Sequence, residues 1–285
     1  MRVAIIGSFP FHLECIAFLL EIFKKNEINL YIKKGIDNYN YIGYYKTLYK
    51  FNVIYNNFSS TIINSHDFII KLTSNDYCMD DKNIISILHL NGPQQRNCKS
   101  TKYISLTPYI SDKNIFYMFP IFQPILNYSK KKIITLIGHY KDSEFDNDLI
   151  NFICKNKDYL FNFIVHGSNL YRVQKLKNVN IIRNIDTFLL TTIIQKSKYI
   201  LSKKYIHYDR FSGQLGLAMS FEKPLILDMK TKQSYKLPGI SFKKNYSEIV
   251  DLNNDERYDR IISEIKEFKN NTLKTSYQLL HSLKN

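Results

Sequence analysis

Residues 211–227, FSGQLGLAMSFEKPLIL, join a Ser-Gly pair to a run of apolar and small residues, and Pro224 then leads into a strand-like LIL. The run suits a buried helix docked on a sheet. Its start also suits a ligand, because the first N–H groups of a helix lack intrahelical partners and carry a partial positive charge that favours phosphate. Gly213 lets phosphate oxygens approach the backbone, and Ser212 offers a hydroxyl donor. Gln214 follows in the same first turn, and Arg210 can add a charge-assisted contact. The plain alternative is that Ser212 is an ordinary N-cap, worth about 1 kcal/mol.

Outward from this stretch, short apolar runs alternate with helix-compatible ones. The first half predicts strands at 2–7, 28–33, 52–56, 68–73, 85–90 and 103–109. LECIAFLLEIFKK (13–25) lies between the first two and is apolar around nearly its whole circumference, as a helix packed on a sheet must be. Pro120 and Pro124 disfavour helix at the residues before them and precede a basic stretch, which places a connector near 122–131. The alternation then restarts, with strands at 132–138, 161–165, 179–184, 198–202 and 224–227. Helices are expected near 144–156, over a short piece at 168–176, and at 187–197. Tyr258, Ile261, Ile262, Ile265 and Phe268 form one face of an amphipathic helix, and Leu279, Leu280 and Leu283 suggest a final helical segment. Val/Ile-rich strands alternating with helices argue for parallel sheets covered on both faces. The expected architecture is α/β, two Rossmann-like domains in tandem over 1–125 and 126–285 with a cleft between them. The last helix is free to pack back on the first domain.

In open α/β sheets, ligands bind outside the carboxyl ends of strands. GSFPFHLE (7–14) follows the first strand. His12 suits proton abstraction near neutrality, and Glu14 can orient it or act in its place. A capping or packing role for His12 is the structural alternative. Only Gly7 of a G-x-G-x-x-G fingerprint is present, so a bound dinucleotide is not expected. The acidic run DSEFDND (142–148) has Asn147 and Ile153 where a calcium loop needs Gly and Glu, so it reads as helix-start acid.

The composition narrows the classes further. The 285 residues are 45% hydrophobic and 23% charged, a globular balance. Lys+Arg 40 against Asp+Glu 25 gives +15, which fits an anionic partner. Stretches of Ile, Lys, Asn, Tyr and Phe share AT-rich codons, which also raise lysine without any selection for binding. The four cysteines are scattered without metal-ligand spacing, so reduced thiols are expected. The apolar N-terminus is broken by Pro10, His12 and Glu14 and lacks a cleavage signature, and no run reaches about 18 uninterrupted apolar residues. The expectation is a cytoplasmic protein with no transmembrane segment.

The order of elements, with RFSGQLGLAMSFEKPLIL (210–227) and LIGHYKD (136–142), resembles the GT-B glycosyltransferases. The resemblance implies two Rossmann-like domains and transfer of a sugar from a nucleotide-sugar donor. It implies donor contacts at Gly138, His139, Lys141, Asp209, Arg210, Ser212, Gly213 and Gln214, with His12 or Glu14 as the base. The donor expected is a UDP-sugar used as a substrate, with no cofactor and no metal. The acceptor is a glycan, protein, lipid or DNA. Two departures stand out. Aligning on Pro224 puts Leu217 where many retaining members carry their second acidic residue, and Glu222 where a glycine is usual. Both fit an inverting or an inactive member, and a basic nucleic-acid-binding protein is the remaining class.

Overall fold

The computed structural model describes residues 1–7, 14–55, 65–72, 84–89, 102–109, 115–126, 131–138, 142–165, 170–202 and 211–284. The chain divides into two compact units. The first comprises Met1–Pro124, His207–Gly213 and Asn270–Asn285, and the second Ile125–Ile206 and Gln214–Lys269.

The first unit is built on β1 (Arg2–Gly7), β2 (Glu27–Ile32), β3 (Asn52–Tyr55), β4 (Phe68–Lys71), β5 (Ile84–Leu88), β6 (Lys102–Ser105) and β7 (Ile115–Tyr117). All seven pair in parallel in the order β3-β2-β1-β4-β5-β6-β7. The order reverses between β1 and β4, the topological switch point of a doubly wound sheet. Helix α1 (Ile16–Phe23) buries all eight of its residues, as its all-round apolar sequence requires. Its one acid, Glu21, is 1% exposed and accepts hydrogen bonds from Lys24 Nζ at 2.7 Å and Tyr49 Oη at 2.8 Å. A second helix, α2 (Tyr41–Lys46), is too short to show periodicity in the sequence.

The second unit repeats the plan. Its strands are β8 (Ile133–Gly138), β9 (Leu160–Val165), β10 (Val179–Arg183), β11 (Tyr199–Leu201), β12 (Leu225–Asp228) and β13 (Gly239–Phe242). They form a parallel sheet in the order β10-β9-β8-β11-β12-β13, with the switch point between β8 and β11. Helices α3 (Asn147–Lys155), α4 (Thr187–Lys196), α5 (Gly213–Ser220) and α6 (Met229–Tyr235) alternate with the strands, and α7 (Asp255–Lys284) ends the chain. Two parallel α/β sheets of this order are the expected fold class.

Three local readings change. Residues 171–175 form turns rather than a helix. Leu170 and Val173 are buried, and among the described residues the segment makes one i→i+4 backbone bond, Gln174 N to Leu170 O. The two separate C-terminal helical segments are one helix of 30 residues. It contains no Gly or Pro to stop it, and its buried stripe of Tyr258, Ile261, Ile265, Leu273 and Leu280 carries Lys269 and Ser276 as polar interruptions. Strands β7 and β13 and helix α6 were not anticipated. β7 has three residues and β13 four, and α6 is mostly polar.

Candidate functional site

At the carboxyl edge of the first sheet, Glu14 and Cys15 immediately precede α1, and the Tyr45 hydroxyl donates to the Glu14 carbonyl at 3.2 Å. Far along the chain, Phe211 returns to this edge. Its N–H donates to the carbonyl of His89, just past β5, at 3.0 Å. Its ring stands edge-on to Phe119 at 5.7 Å. Two residues later α5 begins at Gly213, and the Glu14 carboxylate lies against it. A Cβ on Gly213 would sit 2.6 Å from both Glu14 carboxylate oxygens. Real Cβ atoms do not approach so closely, so a side chain at 213 would make the Glu14 carboxylate, the far end of a flexible side chain, shift away.

His89 holds both sides of this contact. Its Nε2 donates to the Leu72 carbonyl at 2.7 Å, which fixes the tautomer and leaves Nδ1 facing Cys15 Sγ at 3.9 Å. Its backbone oxygen fixes Phe211. Burial and then the Glu14 charge push the Cys15 thiol well above its ordinary pKa, so it stays neutral. Burial first, and Glu14 among the charges, does the same to the Tyr41 and Tyr45 phenols. Glu14 is half-buried, with its carboxylate against Gly213.

Directly after Gly213, Gln214 is 6% exposed, and its Oε1 has no hydrogen-bond partner among the described residues. An orphaned buried amide oxygen costs about 1–3 kcal/mol, so its presence in the first turn of α5 is unexplained by packing alone. Ser212, just ahead of the helix, is half-buried. At the other end of α5, Glu222 sits where a glycine is usual and takes φ 54°, the left-handed region that glycine tolerates best. Its side chain is held by Lys269, which donates to Glu222 Oε1 at 3.1 Å and to the Ser220 carbonyl at 2.8 Å. Both charged groups are under a tenth exposed.

On the second sheet, β8 ends in Gly138 at φ 138°. The acidic run that follows serves structure. Asp142 accepts from the Arg172 N–H, Asp146 caps α3 through the Leu149 N–H, and Asp148 accepts from the Tyr246 N–H. Arg172 also donates through its guanidinium to the Phe145 carbonyl at 2.7 Å. It therefore laces the chain after β8 to the chain after β9, and nothing in the local sequence marked it for that role.

Of the anticipated residues, Glu14 and Gly213 are brought together, with Ser212 and Gln214 adjoining Gly213 in the chain. Gly138 closes β8 in the second unit. His12, His139, Lys141, Asp209 and Arg210 lie outside the described residues. His89 was read only as part of the apolar run ISILHL, although its place at a strand's carboxyl end was the available signal. Among the described residues no group of three potential metal ligands occurs, and no helix is long and apolar enough to cross a membrane.

No family model and no curated protein sequence matches the chain. Solved structures do. UDP-GlcNAc 2-epimerase from Neisseria meningitidis bound to UDP-GlcNAc is similar at a TM-score of 0.59 and 12% identity, covering 99% of this chain and 100% of that one. AviGT4, a glycosyltransferase involved in avilamycin A biosynthesis, is similar at 0.57 and 10%, covering 100% and 97%. The glycosyltransferase SnogD from Streptomyces nogalater is similar at 0.53 and 11%, covering 99% of each chain. At these identities the likeness establishes the fold, which is of the GT-B type.

Proposed function

From a GT-B-type fold, we propose that this chain is a nucleotide-sugar-dependent glycosyltransferase that uses a UDP-sugar and needs no metal. The observation that carries the reading is the start of α5. A side-chain-free residue opens a helix there, a carboxylate lies against it, and the next residue has an orphaned buried amide oxygen. Helix N–H groups and Gly213 suit the donor diphosphate, and the Gln214 amide suits a ligand hydroxyl. On this reading Arg210 and Lys141 add positive charge to the leaving diphosphate, and Gly138, His139 and Asp209 are further donor-binding residues. Preorganised dipoles aimed at a charge that develops in the transition state are usually the largest single catalytic contribution.

The base is His12 or Glu14. It takes the proton of the acceptor hydroxyl, whose oxygen attacks the anomeric carbon as the bond to the diphosphate breaks. With Leu217 in place of a second acid, the inverting course is the one these residues support. The acceptor is a hydroxyl of a glycan, protein, lipid or DNA, and the site of action is cytoplasmic.

A second reading keeps the donor and changes the reaction. UDP-GlcNAc 2-epimerases share this fold at TM-scores of 0.59 and 0.56, and an epimerase needs no acceptor. One experiment separates the two. Purified protein is incubated with UDP-sugars, with and without pooled acceptors, and UDP release and the sugar's proton spectrum are followed. Acceptor-dependent UDP release, abolished in His12→Ala or Glu14→Gln with UDP binding retained, supports the transferase. A new sugar epimer formed without acceptor overturns it in favour of the second reading.

A further inference from the structure

Helix α4 lies on the surface of the second unit with the sequence of an interior helix. Its ten residues, TFLLTTIIQK, hold one charged side chain, Lys196. Thr187, Thr191 and Ile194 are its buried positions. The other side of the helix, by the 3.6-residue period, carries Leu189, Thr192, Ile193 and Lys196, with Phe188 at its margin. Leu189 is 47% and Phe188 40% exposed. A surface helix ordinarily turns charged and polar residues outward. Here the polar groups are tied back to backbone. The Thr192 hydroxyl donates to the Phe188 carbonyl at 2.8 Å, and Gln195 Nε2 donates to the Ile125 carbonyl at 3.2 Å. The second bond holds Ile125, itself 70% exposed, beside the last turn of α4. Scattered exposed apolar residues need no explanation, but a group along one helix marks an interaction surface.

The charges around this face have one sign. From Tyr159 to Ser202, through β9, β10, α4 and β11, the chain carries six lysines and arginines and one acid, Asp186. That acid is spent as the N-cap of α4, accepting from the Leu189 N–H at 2.9 Å. Lys196 stands on the outward side of α4, and Arg183 ends β10 just ahead of the cap. Lys131 lies two residues before Ile133, whose carbonyl accepts from the Lys198 N–H just past α4 at 2.8 Å. All three of Lys131, Arg183 and Lys196 are exposed. Among the described residues no carboxylate pairs with Lys131 or Lys196.

We infer that this face of the second unit docks on an anionic lipid surface, with Phe188, Leu189 and Ile125 at the boundary of headgroups and acyl chains and the basic residues among the headgroups. Apolar side chains beside a cationic rim are what hold a helix in the plane of a membrane interface. Lysine suits the rim because its stem covers apolar surface while its ammonium stays in water. A second copy of the chain fits less well. A two-fold contact uses the same patch on both partners, so it would set Lys196 and its neighbours against the same positive groups. Nucleic acid would satisfy the lysines and leave Leu189 and Ile125 without partners, since neither has a ring to stack on a base. The inference does not depend on the donor reading above.

The chain contains no tryptophan, so Leu189→Trp supplies a single fluorescent reporter on this face. Asn151→Trp, at an exposed position of α3, supplies the control. Vesicles of phosphatidylcholine alone, and of phosphatidylcholine and phosphatidylglycerol in equal parts, are titrated into each protein. The Leu189→Trp emission should move to the blue with the anionic vesicles only and return as salt screens the headgroups, while Asn151→Trp should not move. Wild type should sediment with the anionic vesicles. Lys131→Gln/Lys196→Gln should weaken that partitioning by about fivefold per lysine. Ile125→Gln/Leu189→Gln should weaken it with the charge unchanged. These side chains are exposed, so all variants should keep the wild-type unfolding midpoint. Absence of partitioning by wild type overturns the inference, as does partitioning that leaves the Leu189→Trp emission unmoved or moves both reporters equally. A blue shift that follows protein concentration without lipid overturns it in favour of a second copy. A shift with duplex DNA and none with vesicles overturns it in favour of nucleic acid.

Discussion

At the scale of single residues, the Gly213–Glu14 contact is the sharpest feature of the molecule. Gly213→Ala places a methyl group where the Glu14 carboxylate lies, and that flexible side chain must swing away, at a cost below the roughly 1–3 kcal/mol of overpacking a rigid core. Alanine is the better helix former by up to about 1 kcal/mol, so the same change should be harmless or stabilising once Glu14 is also alanine. A double-mutant cycle by urea denaturation should therefore show coupling beyond the additivity error of about 0.5 kcal/mol. Additive effects would mean that the two residues do not touch. Each residue was legible on its own, Gly213 as a helix-start glycine and Glu14 as an acid after the first strand. Their adjacency was not legible, because contact between residues so distant in the chain leaves no local pattern. His89 was hidden for a different reason. A buried histidine in an apolar strand looks like core until its two ring nitrogens are seen to be in use.

At the scale of elements, α5 is fixed at its C-terminal end by an ion pair that the sequence disguised as a flaw. Glu222 in place of a glycine costs about 1–2 kcal/mol of left-handed backbone strain. Lys269 makes the substitution tolerable by neutralising the carboxylate and capping Ser220. Lys269→Met leaves Glu222 buried without this cation and should destabilise by about 3–5 kcal/mol. The double variant Glu222→Gly/Lys269→Met removes both charges and the strain, and should unfold at or above the wild-type urea midpoint. A double variant as unstable as Lys269→Met would show that the pair does not act as a unit. The strands read well because Val/Ile-rich runs buried on both faces are the strongest local signal an α/β protein offers. The 171–175 turns read poorly because two buried residues three apart mark a helix and an anchored turn alike.

For the molecule as a whole, two parallel sheets were legible from the alternation of strands and helices. The order within each sheet was not, since strand neighbours are chosen by crossovers rather than by the strands. The net charge of +15 left a nucleic-acid partner open beside a nucleotide sugar, and the two classes make different predictions for binding. The proposed function stands or falls on whether the start of α5 binds a nucleoside diphosphate. Thermal unfolding at fixed salt with UDP, GDP, dTDP, CMP and ADP, repeated with Ser212→Ala and Gln214→Ala, decides it. The expected outcome is a selective gain with UDP of about 2.7 kcal/mol at about one hundred times its dissociation constant, diminished in both variants. No gain from any nucleotide, with salt-sensitive stabilisation by DNA in its place, would overturn the donor site.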